Sequence, residues 1–173
     1  MIVDDPDSHF VFVYHPEIYY GKTYTLYNGR PMTNREVLEN WGKWIILGEP
    51  AWLETLAAEL NSYVEREVIP VIKYDRQPPR NLGIDECVMM VYCDRRCRET
   101  VWAVLERHGV KLKAWVSEKE TMEMWSPGGP LLERWITSKN LDENQAHAVR
   151  EDARVRLGIV FERPDEIFSP WAQ

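Results

Sequence analysis

A chain of 173 residues with 45% apolar residues and eight tryptophans has the material for one domain with its own core, and its composition is not that of a disordered segment. Its longest apolar run, Cys87 to Cys93, is seven residues, far short of a membrane-spanning helix. The net charge of −7 argues against a general binder of nucleic acid or anionic lipid, yet residues 71–115 carry a net +3, so a local anion site stays open.

The N-terminus "MIVDDPDSHF" is acidic where a secretion signal would be basic. Three cysteines, an odd number gathered between 87 and 97, suit a reducing compartment better than a disulfide framework. A cytoplasmic protein without a membrane partner is therefore expected. "FVFVYH" and "KTYTLYNGRP" read as strands, the second broken by a turn at Asn28-Gly29. Thr33 and Glu36 form a capping box for a short helix through Val37 and Leu38.

"GKWIILG" reads as a strand, with Trp44 and Ile46 on one face and Ile45 and Leu47 on the other. Pro50 suits the first turn of a helix whose stripe is Trp52, Leu53, Leu56, Leu60 and Val64. "IPVIKYDR" returns as a strand before the turn-rich "QPPRNLG". "ECVMMVYCD" has the uncharged interior of a strand buried on both faces, with Cys87, Met89, Val91 and Cys93 opposite Val88, Met90 and Tyr92. Asp94 stands where a helix cap belongs, Cys97, Val101, Val104, Leu105 and His108 follow at helical spacing, and Gly109 stops the helix. Cys87 and Cys93, six strand residues or roughly 20 Å apart, are too distant for one metal site, and no Cys-x-x-Cys or histidine pair completes another. Neither a metal nor another cofactor is expected, and the cysteines read as core packing.

"VKLKAWVSE" alternates Val110, Leu112, Ala114 and Val116 against Lys111, Lys113, Trp115 and Ser117, which predicts a last core strand. Beyond it lie a loop, "MWSPGGP", a short helix, "LLERWI", and a long polar helix with the stripe Ala146, Val149, Ala153 and Leu157. An irregular tail is expected to dock through Phe168 and Trp171. The fold class is α+β: a curved, mostly antiparallel sheet with two or three helices on one face, built from two strand–helix–strand units. Residues 1–173 form a single domain, with N-terminal strands and a short helix in 1–40, the core in 41–117, and a C-terminal loop, long helix and tail in 118–173.

Lys43-Trp44 opening one strand, Lys73 in the next, and Val91, Tyr92 and Asp94 in the third resemble the basophilic-leukaemia-expressed protein family, whose function is not established. The resemblance covers residues 41 to about 117. It implies a fold similar to that of the cap-binding translation initiation factor, a curved antiparallel sheet with helices on its convex face. No tryptophan here matches the pair that sandwiches the cap, so cap binding is not implied.

The candidate ligand-binding residues are Lys73, Arg76, Arg95, Arg96, Lys111, Lys113 and Trp115. Alternation places Lys111, Lys113 and Trp115 on the sheet face away from the helices, where Lys73 and Arg76 would join them. Arg95 and Arg96 sit at a helix N-terminus, whose free N–H groups favour an anion. Arginine, lysine and an aromatic face together suit phosphate and a base, so the expected partner is a phosphorylated small molecule, a nucleotide or RNA. Two other readings use the same chain. A phosphothreonine-lyase-like enzyme would take Lys73 as base, Arg95 or Arg96 on phosphate, and His108 or Tyr92 as acid. A protein-interaction domain would use exposed tryptophans, Trp125, Trp135 and Trp171.

Overall fold

The computed structural model describes residues 1–169. Strand β1 (Ile2–Val3) and strand β2 (Phe10–Tyr14) lead to a one-turn helix, α1 (Pro16–Tyr19). Strands β3 (Leu26–Tyr27) and β4 (Arg30–Pro31) form a small separate hairpin. Both of its turn residues, Asn28 and Gly29, take positive φ, as a tight two-residue turn requires. The Thr33–Glu36 capping box opens α2 (Asn34–Asn40), which runs straight into β5 (Trp41–Gly48). Pro50 starts α3 (Pro50–Glu65), followed by β6 (Val71–Asp75), a 3-10 turn at Arg80–Leu82, and β7 (Cys87–Asp94). The Asp94 carboxylate accepts from the Arg96 N–H at 2.8 Å and caps a 3-10 turn, Arg95–Cys97, that feeds α4 (Arg98–Arg107). Strand β8 (Trp115–Ser117) then passes directly into α5 (Glu118–Met124), and α6 (Pro130–Ser138) and α7 (Glu143–Glu162) complete the described chain. No described helix is long and apolar enough to cross a membrane.

Six strands form one antiparallel sheet in the order β1-β2-β6-β7-β5-β8. Helix α3 carries the chain from β5 over β7 to β6, and α4 carries it from β7 over β5 to β8. The two strand–helix–strand units therefore interleave, which is the split β-α-β-β-α-β arrangement. Of the N-terminal segments, "FVFVY" joins the sheet edge as β2, whereas "YTLY" contributes only to the separate hairpin.

The main core lies between the sheet and helices α3 and α4. Val13, Trp44, Ile46, Ile72, Met89, Val91 and Cys93 meet Leu53, Leu56, Leu60, Val101, Val104 and Leu105 there. Trp52, expected on the α3 stripe, is exposed, and Ala57 fills the stripe instead. The opposite face of the sheet has a second layer. Val37 of α2, Met122 of α5, Val160 of α7 and Phe168 of the tail enclose Trp41 against that face. Phe168 docks as expected and donates its N–H to the Met32 carbonyl at 2.9 Å, while Trp171 lies outside the described residues. The tryptophans expected to be exposed, Trp125 and Trp135, are half-buried against a third cluster around Leu132, Ile136, Ala146 and Ala153.

Strand β8 corrects the reading of "VKLKAWVSE". Only its last three residues of strand form, and Trp115 pairs with Trp44 in register, so it points toward the helices rather than away. The two indoles meet edge to face at 5.2 Å, and Trp102 of α4 lies 5.1 Å from Trp44 on the same side. Alternation fixes which residues share a face but not which face is covered. Burying a large ring against two others outweighs exposing it. Gly42 permits this approach: a Cβ there would strike the Trp115 ring and lie 2.7 Å from the Val116 carbonyl.

Candidate functional site

The seven expected ligand residues do not converge. Lys73, at the middle of β6, lies opposite Phe12 and Met90, on the face away from α3 and α4. Arg76 donates to the Ser8 and Asp5 carbonyls and pairs with Asp4, so it clamps the N-terminal loop. Arg95 is exposed, while Arg96 makes two side-chain bonds to Asp94, at 2.9 and 2.8 Å, and lies 3.4 Å over the Tyr27 ring. Lys111 is exposed. Lys113 bonds Glu99 at 2.6 Å near Trp44 and Trp102, on the helix side with Trp115. The sheet itself separates Lys113 and Trp115 from Lys73. The acids suggested for an elimination fare no better. His108 bonds Glu59 across the α3–α4 surface at 3.0 Å, and the Tyr92 hydroxyl is deep in the second face, near Met90 Sδ.

What does converge is a set drawn from five elements. Alternation in "FVFVY" turns Phe10, Phe12 and Tyr14 outward from the main core, all half-buried, with Phe12 and Tyr14 stacked at 5.1 Å. Beside this row stands Lys73, its ammonium 3.8 Å from the centre of the Phe10 ring. Lys43 of β5 shares the face, opposite Tyr92, and is 4% exposed. It is held at 3.0 Å by Glu118. The β5–β8 register explains that pair: Val116 lies opposite Lys43, and α5 begins immediately after β8, which swings its first residue over the sheet.

The electrostatics separate the two lysines. Lys43 has its own buried carboxylate. Lys73 has, among the described residues, no carboxylate, carbonyl or hydroxyl within hydrogen-bond distance. Burial above all, and then the like charge of Lys43, push its pKa down to about 8, against weaker opposing pulls from Glu118 and Asp75. Burial likewise pushes the Tyr14 phenol up to about 12 and those of Tyr24 and Tyr92 higher still. Asp75, buried at the end of the same row, accepts from the Val88 N–H at 3.0 Å, and burial raises its carboxyl. Next to the row, an open cleft of about 690 Å³ runs past Ser8, Phe12, Tyr14, Ile18, Tyr24 and Phe168.

Cys87 and Cys93 are buried and Cys97 is exposed. Ligand atoms of His15, Glu17 and Glu67 lie within 4.8 Å of one another, but Lys22 reaches both carboxylates, at 2.7 and 3.9 Å. That group is an ion-pair cluster on the surface.

No family model, curated protein or solved structure matches this chain. The site therefore rests on its own geometry. Of its residues, Lys73 was a sequence candidate and Tyr92 an alternative acid, whereas Lys43, Glu118, Phe10, Phe12, Tyr14 and Tyr24 were missed. One signal was available for part of the set: a lysine in the middle of an apolar strand, in both "GKWIIL" and "PVIKYD".

Proposed function

We propose that the open half of the second sheet face binds a small anionic molecule with a planar part, of the phosphorylated or nucleotide-like class. The observation that carries this reading is the Lys73 ammonium, largely buried and, among the described residues, without an anionic partner, next to a row of three aromatic rings. An ammonium so placed is compensated when an anion enters, and an aromatic row gives a base or sugar ring a surface to stack on. The adjoining cleft is of the size that small ligands occupy. The same cleft and the chain's net charge of −7 favour a mononucleotide-sized ligand over RNA. Lys43, Lys73 and Tyr92 share this face.

Calorimetric titration with mononucleotides, inorganic phosphate, a phosphopeptide and short RNA tests the proposal, with Lys73→Met alongside. Mononucleotide binding that weakens with salt and falls about tenfold or more in the variant is expected, the loss matching one charge-assisted hydrogen bond. Absence of heat from every ligand at millimolar concentration would overturn it. Tight RNA or phosphopeptide binding indifferent to Lys73→Met would place function elsewhere on the surface.

A further inference from the structure

The chain has seven lysines, and Lys73 alone is neither exposed nor, among the described residues, paired with a carboxylate. Lys22 holds Glu17, Lys43 holds Glu118, Lys113 holds Glu99 and Lys119 holds Glu123. Lys111 and Lys139 stand in solvent. Lys73 instead meets the Phe10 ring, with Phe12 directly opposite it on β2. The charged groups it senses are Lys43 from β5, Glu118 from α5 and Asp75 from its own strand. A lysine largely removed from water, with no carboxylate holding it, is the arrangement that yields a nucleophilic amine near neutral pH.

We propose that Lys73 is a nucleophile that forms an imine with a small carbonyl compound bearing an anionic group, such as a 2-oxo acid. This rests on the reading that the second face receives a ligand, and it adds a covalent step. The lone pair of neutral Nζ forms a C–N bond to the carbonyl carbon while the C=O π electrons move to oxygen. A proton passes from nitrogen to that oxygen through solvent. A second proton from solvent then reaches the same oxygen, the C–O bond breaks as the nitrogen lone pair forms the C=N bond, water leaves, and a protonated imine remains; nothing is oxidised or reduced.

The availability of the free amine follows from its environment. With a pKa of about 8, about a tenth of Lys73 is neutral at pH 7, against less than a thousandth of an ordinary exposed lysine. The lower intrinsic nucleophilicity of a less basic amine offsets part of that advantage and leaves an expected preference of about tenfold or more.

The test uses the full chain with glyoxylate and sodium cyanoborohydride from pH 6 to 9.5. Reduction converts each imine to a carboxymethyl amine, and peptide mass spectrometry reads every lysine separately. The Met1 amine, which donates to the Tyr14 carbonyl and Asn61 at 2.7 Å each, is read on its own peptide. The expected result is a Lys73 adduct at pH 7 at least about tenfold faster than at Lys111 or Lys139, with a rate that levels off above pH about 8. In Lys73→Arg that adduct is absent and the others are unchanged. Labelling spread over the lysines in order of exposure, or a Lys73 rate still climbing at pH 9.5, would overturn the proposal. Both readouts come from the unmodified protein, so they stand even if the variant folds poorly. Phosphate calorimetry on the same sample separates the two readings. Selective Lys73 labelling without phosphate binding keeps the imine and removes the anion site, whereas phosphate binding with unselective labelling does the reverse.

Discussion

Glu118→Gln probes the buried half of the second face. Lys43 and Glu118 have side chains only 5% and 14% exposed and meet at 3.0 Å. The Lys43 ammonium also lies 5.2 Å from the centre of the Tyr92 ring, within an apolar layer. Removing one partner of such a pair strands the other charge, at a cost of about 3–5 kcal/mol. The glutamine oxygen still accepts a hydrogen bond, which returns about 1 kcal/mol. A net loss of about 2–4 kcal/mol is expected, or roughly 5–15 °C in Tm for a domain of this size. Urea unfolding followed by tryptophan fluorescence measures it. The double variant Lys43→Met, Glu118→Leu should recover to within about 1 kcal/mol of the parent, since well-packed apolar residues replace buried pairs at little cost. Glu118 also raises the Lys73 pKa, so Glu118→Gln should move the midpoint of Lys73 labelling to lower pH. A loss below about 1 kcal/mol with an unmoved midpoint would refute the reasoning, because it would mean that water already reaches the pair.

A thiol reagent should modify Cys97 at once and leave Cys87 and Cys93 protected until the protein unfolds, since both are buried and burial raises each thiol. Cys87→Ala should cost about 1 kcal/mol in urea unfolding and leave ligand binding unchanged. Asp94→Ala removes the cap and the Arg96 partner together and should cost about 1–2 kcal/mol, whereas Arg95→Ala should stay within about 0.5 kcal/mol of the parent. Hydrogen bonds from Arg30 and Arg150 hold the Glu36 and Glu133 carboxylates at about 2, below the ordinary 4.5. A depressed folded-state pKa means that their stabilisation is fully present above pH about 4.5 and is lost as pH falls toward about 2. Urea midpoints measured from pH 6 to 2.5 should therefore fall less steeply in Glu133→Gln than in the parent.

The interleaved core was legible because each of its elements carries a local signal. Cys87, Met89, Val91 and Cys93 alternate against Val88, Met90 and Tyr92 as period two demands, and Thr33–Glu36 and Asp94 mark helix starts by hydrogen-bond chemistry alone. The separation of Lys73 from Lys113 and Trp115 was not legible, because it depends on which way β8 faces. That choice is made by Trp44 and Trp102, which are far from Trp115 in sequence. Glu118 was invisible for a related reason. It is an ordinary surface-type residue until the β5–β8 register sets it over Lys43. Helix α5 escaped notice as well, although Ser117 and Glu120 form its capping box, since the alternating pattern before it gives no warning that the strand ends there.

The two mid-strand lysines allow a structural role to be told from a functional one. A charge at the centre of a six-stranded sheet is costly, and a fold that keeps one for its own sake has to neutralise it. For Lys43 the chain does this, with the strand-to-helix passage from β8 to α5 delivering a carboxylate at hydrogen-bond distance. For Lys73 no described residue does so, and the charge nearest in kind, Lys43, makes matters worse. Nor is Lys73 left in open water as Lys111 is. Its long stem does cover the Phe10 ring, but an apolar side chain would do that without the cost of the ammonium. The helices that close over Trp41 on the β5 half do not extend over the β2–β6 half of the face, where an open cleft runs past Phe12 and Tyr14, the neighbours of Lys73 on that face. An amine left uncompensated by the described residues, where the second layer stops, is the feature on which the proposed ligand site rests, and a purely structural lysine would not need it.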